Sequence, residues 1–345
     1  LWTLDGAPLH LFRRMEGRER VIVPRAVDDG SLVGMQFALW QYSKDGFLAS
    51  ARANGTSGLM VQTTHVRGNE HSMRYLADGM WGGPATPEAF YSQYIERMFG
   101  AMSAPAVGEA FRILEQSDEA LGGRGERNMP WNMVPPQILV MRGFKDFDRP
   151  FHAAPFGSRF VNECKRRNEK FKVAIGNLEC ALDQLSAAQK TAEDSGAAEL
   201  HYIIERTRGY RAHLQALWGL GELYEGYFDL FERAPADMKT FKASLDRVVA
   251  AARDVERTTR RSASHFAQCA EHTTDRAVLW MVCHKMVLGS QCLRRYLENI
   301  QAFYHGREYW KPVPWDKLFG RVVFPPHAVG NEDVERAVRA DAEPG

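Results

Sequence analysis

The clearest pattern of hydrophobic and polar positions runs through the second half of the chain. From residue 159 to residue 304, apolar side chains recur every three or four positions, which is the spacing of one face of an α-helix. Long helices with short breaks between them are typical of an antiparallel bundle. We therefore predict helices at residues 160–192, 200–231, 238–274 and 276–304.

The first 121 residues have a different pattern, in which β-branched runs alternate with amphipathic segments. Residues 21–23 and 59–64 are short apolar runs bounded by turn residues, and buried strands have this composition. An amphipathic segment follows each run, at residues 43–53 and 69–80. The order strand, helix, strand, helix gives two βα units, which implies parallel strands.

Two further helices are predicted before the irregular middle of the chain. Thr86 precedes Pro87, which combines a side chain that caps a helix with a residue suited to its first position. The helix that they begin is expected to end near Gly100, and the next occupies about residues 105–121. Residues 122–158 are rich in glycine, proline and methionine, and we predict an irregular linker there.

Polar side chains are concentrated just after the second β-branched run. Residues 65–71 contain two histidines, one arginine and one glutamate. In folds built from βα units, substrates bind at the edge of the sheet where the strands end. His65 and Arg67 are two positions apart and would face the same side, where both could hydrogen-bond a hydroxyl or a carboxylate. The alternative is that both are surface residues of a loop, and His71 is expected to be structural.

The segments between residues 67 and 100 have a distinctive order. Residues 67–77 read RGNEHSMRYLA, Trp81 follows, and a helix then begins TPEAFY at residues 86–91 and ends MFG at residues 98–100. This order resembles the end of the (β/α)8 barrel of a glycoside hydrolase, followed by a helical C-terminal domain. The α-glucuronidase-like and hexosaminidase-like families are the most similar. The resemblance covers about residues 20–120.

The resemblance implies an α/β portion, made of the last βα units of a TIM-type barrel, followed by a mainly α-helical bundle domain. Residues 1–121 would be the partial barrel with its flanking helices, residues 122–158 the linker and residues 159–345 the helical domain. A full barrel takes about 250 residues and eight strands. The chain is therefore expected to be the C-terminal portion of a larger carbohydrate-active hydrolase, which agrees with its first residue being leucine.

A glycoside hydrolase needs two carboxyl groups that flank one glycosidic bond, about 5 to 9.5 Å apart. Asp28 and Asp29 are adjacent and point to opposite sides of an extended chain, so they do not form such a pair together. We therefore predict Glu70 and Asp28 as the catalytic residues. The alternatives are that the two aspartates cap a turn and that Glu70 interacts with the N-terminus of its helix.

Six residues are candidates for substrate binding, and they come from both βα units. They are Arg25, Asp29, Trp40, His65, Arg67 and Trp81. Arginine can bind a carboxylate through two hydrogen bonds, and a tryptophan ring can stack on a sugar. For the two tryptophans, the alternative is burial in the core, where aromatic side chains are more often found.

Composition narrows the classes of function. The net charge of +1 gives no strong electrostatic reason to expect nucleic acid or an anionic membrane as partner. No run of 18 apolar residues is present, so no transmembrane helix is predicted. The five cysteines form no CxxC pair, which favours reduced structural thiols over a zinc site. We predict neither a metal nor another cofactor.

The expected partner is a carbohydrate substrate, and the helical domain would also provide the contact for a homo-oligomer. Two alternatives remain open. The chain could be a non-catalytic helical scaffold or protein-interaction domain, in which the βα part is structural. It could also be another barrel enzyme with unrelated chemistry, since a fold does not determine a function.

Overall fold

A computed structural model describes residues 2–3, 17–24, 47–60, 67, 70–83, 86–121, 158–232 and 237–306. Helices account for 83% of these residues. The described ranges contain nine α-helices and one π-helix: α1 Phe47–Ala53, α2 Glu70–Met80, α3 Pro87–Phe99, α4 Ala104–Ala120, α5 Ser158–Ala188, α6 Asp194–Glu232, α7 Met238–Gln268, α8 Thr273–Met281, π1 Val282–Val287 and α9 Leu288–His305. The predicted helices of the second half are confirmed, with ends that differ by a few residues.

Three short strands lie near the N-terminus of the described chain. They are β1 (Trp2–Thr3), β2 (Val21–Pro24) and β3 (Gly58–Leu59). The strands pair in parallel in the order β1-β2-β3, with Val21 opposite Gly58. Parallel pairing was predicted correctly, but β1 and β3 contain only two residues each.

The predicted fold class is wrong. A TIM-type barrel repeats a strand and a helix eight times, whereas the described residues are mostly helical and hold only this very small sheet. The physical reason is that a short apolar run is compatible with either a barrel strand or a minor attachment to helices. The strands are too short to build the wall of a barrel, and the hydrophobic core of the described chain is formed mainly by helices.

The chain forms two compact units. Unit 1 consists of Leu1–Met133, Lys170–Arg211 and His265–Val278. Unit 2 consists of Val134–Glu169, Ala212–Ser264 and Leu279–Gly345. The division predicted from the sequence, with a linker at residues 122–158, stays a prediction, because residues 122–157 lie outside the described ranges.

In unit 1, helices α1, α2 and α3 share a core. Leu48, Tyr75, Leu76 and Phe90 are all buried there, and the rings of Tyr75 and Phe90 meet edge to face at 5.4 Å. Helix α2 therefore turns Tyr75 and Leu76 inward. Ala77, the next residue of the same helix, is exposed.

Helices α3 and α4 form a helical hairpin in unit 1. Thr86 accepts a hydrogen bond from a backbone N–H in the first turn of α3, and Pro87 is at the start of the helix, as predicted. Gly100 ends α3 with a φ of 84°, a conformation that favours glycine. Phe111 of α4 then packs edge to face against Tyr91 and Phe99 of α3, with ring centroids 5.6 and 6.2 Å apart.

Unit 2 contains an antiparallel pair of long helices, α7 and α9. Phe241 near the start of α7 packs on Tyr304 near the end of α9, whereas Thr259 farther along α7 contacts Ser290 near the start of α9. Helix α6 approaches α7 closely at Gly219, where an added Cβ would lie 3.2 Å from a Val255 methyl. None of the helices in the described ranges is long and apolar enough to cross a lipid bilayer.

Candidate functional site

Arg67, predicted to bind substrate, is held by other side chains of unit 1. Its guanidinium lies 3.3 Å from Glu199 on α6, donates a hydrogen bond to Glu271, and stacks 4.0 Å above the ring of Tyr202. Burial lowers the pKa of Arg67, but the hydrogen bond to Glu271 and the charge of Glu199 outweigh it, so the pKa lies above its ordinary value. These contacts occupy the guanidinium with structural partners.

The contacts of Arg67 continue into a buried polar network. The Tyr202 hydroxyl donates to Asp275 at 2.9 Å, and Arg206 contacts the same carboxylate oxygen at 3.3 Å. The second oxygen of Asp275 accepts from the backbone N–H of His272, which caps the start of α8. Burial raises the pKa of Tyr202, so this hydroxyl stays protonated and remains a donor. The network connects three segments of unit 1: the chain around Arg67, α6 and the start of α8.

Glu70, the predicted catalytic residue, is in an ordinary helical surface position. Its carboxylate is 41% exposed and pairs with Arg74 one turn later, at 3.1 Å. Its predicted partner, Asp28, lies outside the described residues. Four of the predicted substrate-binding residues also lie outside them: Arg25, Asp29, Trp40 and His65. The spacing of the catalytic pair therefore stays a prediction.

Trp81 projects into solvent from the end of α2, with 92% of its side chain exposed. The chain reverses just after it, because Gly82 has a φ of 87° and the N–H of Gly83 donates to the Asp78 carbonyl at 2.7 Å. A Cβ on Gly83 would lie 2.7 Å from that carbonyl oxygen, so this turn requires glycine. Burial in the core, the alternative for Trp81, is excluded by its exposure.

A cleft between α3 and α4, which the sequence interpretation missed, is a candidate site in the described part of unit 1. It has a volume of about 550 Å³, within the range of ligand pockets. We call it the α3–α4 cleft. It is lined on one side by Pro87, Glu88, Tyr91, Ser92, Ile95 and Glu96, and on the other by Ala101, Ala104, Pro105, Gly108, Arg112 and Glu115. The small residues on the α4 side leave room between the two helices. In the sequence, the cleft is indicated only by the helical spacing of these small residues.

Two polar groups of the α3–α4 cleft donate hydrogen bonds to carboxylates of α4. The Tyr91 hydroxyl donates to Glu115 at 2.8 Å, and burial together with the charge of Glu115 raises the pKa of Tyr91 well above its ordinary value. Arg112 donates to Glu109 at 2.8 Å, and this hydrogen bonding raises the pKa of Arg112 and lowers that of Glu109. Neither histidine nor cysteine is among the described residues that line the cleft.

Metal binding has no support in the described ranges, where no group of three or more histidine, cysteine, aspartate or glutamate side chains could hold an ion. The three sequence-predicted residues that the structure describes, Arg67, Glu70 and Trp81, have separate surroundings: an ion-pair network, a helix surface and open solvent. None of them lines the α3–α4 cleft.

No family model, curated protein or solved structure matches this chain. The resemblance to α-glucuronidase-like and hexosaminidase-like glycoside hydrolases is wrong, because the described chain is 83% helical, shows no TIM barrel and matches no such family. The prediction of a carbohydrate substrate depended on that resemblance and has no support in the described residues. The described fold is instead that of a mainly α-helical protein with a very small parallel sheet.

Proposed function

We propose that this chain is a non-catalytic helical interaction module, and that its α3–α4 cleft receives an apolar segment of another protein. The observation that carries the proposal is the cleft itself. Apolar side chains at helical spacing line its α3 wall, and small residues line its α4 wall. A groove between two helices is one of the recurring sites at which proteins bind an amphipathic helix of a partner.

Two features beside the cleft support binding of a protein segment. Met102, which follows the cleft residue Ala101, is 78% exposed, and exposed methionines are common at surfaces that bind varied apolar segments. Among the described residues that line the cleft, the structure shows no nucleophile hydrogen-bonded to a base. The carboxylate of Glu115 is instead bound by the Tyr91 hydroxyl, which suits a rigid wall and not a reaction centre.

The test uses the full chain and three synthetic peptides of about 14 residues, long enough for four helical turns. The peptides share one apolar face and carry lysine, glutamine or glutamate on the other face. Binding is measured by fluorescence anisotropy. We expect at least one peptide to bind, and failure of all three would overturn the proposed function.

Two glycine variants test whether the cleft is the binding site. Gly108→Met places a side chain in the cleft, where a Cβ meets only Ile95 at 3.8 Å, so the helix itself tolerates the change. Gly176→Met is the matched control, because it also lies in a helix and its Cβ would meet nothing within 4 Å. Binding should be lost in the first variant and kept in the second. Equal binding by both variants would place the interaction elsewhere and overturn the proposal.

A further inference from the structure

The helical hairpin that contains the α3–α4 cleft is strongly acidic. Residues 86–121 contain two basic side chains, Arg97 and Arg112, whereas the whole chain carries a net charge of +1. The acidic side chains of the same segment number six: Glu88, Glu96, Glu109, Glu115, Asp118 and Glu119. The segment therefore has a net charge of −4 in a chain that is otherwise slightly basic.

The negative charge is placed on the walls of the cleft. Glu88 and Glu96 line its α3 side two helical turns apart, and both are exposed. Neither has an ion-pair partner in the part of the chain that the structure describes. Glu115 lines the opposite wall and is partly buried.

Arg112, the basic residue among the described residues that line the cleft, does not balance the charges of Glu88 and Glu96. Arg112 is paired with Glu109, and its pKa is raised by that hydrogen bonding, so its charge is matched within α4. Tyr91 adds no charge, because its raised pKa keeps the phenol protonated. The cleft therefore combines apolar and small side chains with the exposed carboxylates of Glu88 and Glu96.

We propose, on the basis of the function proposed above, that the partner of the α3–α4 cleft is a cationic amphipathic helix. Its apolar face lies against Tyr91 and the small residues of the α4 wall, and its lysine or arginine residues meet Glu88 and Glu96. Opposite charge on the two surfaces selects this partner over neutral or acidic helices of the same apolar content, since like charges brought together are repelled.

The three peptides described above test this inference separately from the proposed function. At low salt, we expect the lysine peptide to bind tightest and the glutamate peptide weakest. Each exposed ion pair contributes little, so removing one carboxylate should weaken binding about two- to fivefold. The preference for the lysine peptide should decrease at about 1 M salt, because the ions then screen charges that are more than about 3 Å apart.

Reversing the charge of the two exposed carboxylates tests their role most directly. The double variant Glu88→Lys with Glu96→Lys should bind the glutamate peptide better than the lysine peptide. Glu119→Lys is the matched control, because Glu119 is an exposed acid of the same hairpin that does not line the cleft, and the original order should persist. Thermal unfolding followed by circular dichroism verifies that each variant is folded.

The outcomes separate the two proposals. Equal binding of the three peptides, or tightest binding of the glutamate peptide by the natural chain, overturns the cationic partner and leaves the interaction module standing. An unchanged order of affinity in the double variant also overturns it. A second copy of this chain is the other possible occupant of the cleft, and sedimentation analysis tests for it. A dimer that dissociates in Gly108→Met but persists in Gly176→Met would show that the cleft binds a second copy, and it would overturn the cationic partner.

Discussion

Arg206 on α6 lies 3.3 Å from Asp275 on α8, and the two side chains are 1% and 2% exposed. The guanidinium also lies within 6 Å of the rings of Tyr202 and Phe266. Arginine and aspartate are rarely buried unless they are paired, because each charge loses its hydration on burial. This ion pair therefore requires both partners to be present.

Replacement of Asp275 by alanine should lower the free energy of unfolding by about 3–5 kcal/mol, the cost of leaving a buried partner charge uncompensated. The change also removes the acceptor for the Tyr202 hydroxyl and the cap of α8. Urea unfolding measures the effect. Asp254→Ala is the control, because its pair with Arg257 is largely exposed, and we expect a change of less than about 1 kcal/mol. Similar losses in both variants would contradict the prediction.

Arg67→Ala should destabilise the protein by about 2 kcal/mol, because the variant loses two ion pairs and a stacked aromatic contact. Arg74→Ala breaks an exposed pair with Glu70 and a long contact, 5.9 Å, with the ring of Tyr94, and it should cost less, about 0.5–1 kcal/mol. Chemical denaturation of the two variants checks this difference. If Arg67→Ala were as stable as the natural chain, its contacts would not be structural, and the residue would again be available for a ligand.

The surroundings of Arg67 explain why its role could not be predicted. Its partners Glu199 and Glu271 are 132 and 204 positions away along the chain, and a local pattern contains no information on such pairing. Arg67 follows a β-branched run, and from these sequence neighbours alone it was predicted to bind substrate. The sequence likewise does not distinguish Arg206 from the other charged residues of α6. Its pairing with Asp275 is seen only in the tertiary structure.

Features that depend on neighbouring residues were predicted well. The Thr86–Pro87 start of α3 and its end at Gly100 depend on backbone geometry over a few positions. The long helices of the second half follow from periodicity alone. The α3–α4 cleft could not be predicted in this way, because it depends on how two helix faces meet. The barrel was predicted wrongly because strand length and sheet size are set by contacts between distant segments.

Gly100→Ala should destabilise the protein by about 1–3 kcal/mol, since its φ of 84° and ψ of 154° belong to a region that only glycine populates readily. Gly176→Ala provides the comparison. It lies inside α5 with open space at its Cβ, and alanine there should stabilise the helix by about 0.8–1 kcal/mol. Thermal unfolding of both variants should therefore shift the midpoint in opposite directions. A stabilised Gly100→Ala variant would contradict the turn geometry.

His213 on α6 should make the protein less stable in mild acid. Burial lowers its pKa from an ordinary value of 6.5 to about 4. Between these values the unfolded chain binds a proton that the folded chain does not, so the unfolded state is favoured as the pH falls. The contribution of neutral His213 to the free energy of unfolding is fully present above pH 6.5. It decreases by about 3 kcal/mol in total as the pH falls from 6.5 to about 4.

Urea unfolding at several pH values across this window measures the slope that His213 adds. His213→Phe removes the titrating group and should reduce the pH dependence of the free energy of unfolding in that window, whatever its effect on stability at neutral pH. His201→Phe is the comparison, since it makes the same substitution at an exposed histidine of the same helix. Parallel curves for the natural chain and His213→Phe would show that the folded protein takes up the proton at His213 as readily as the unfolded chain does.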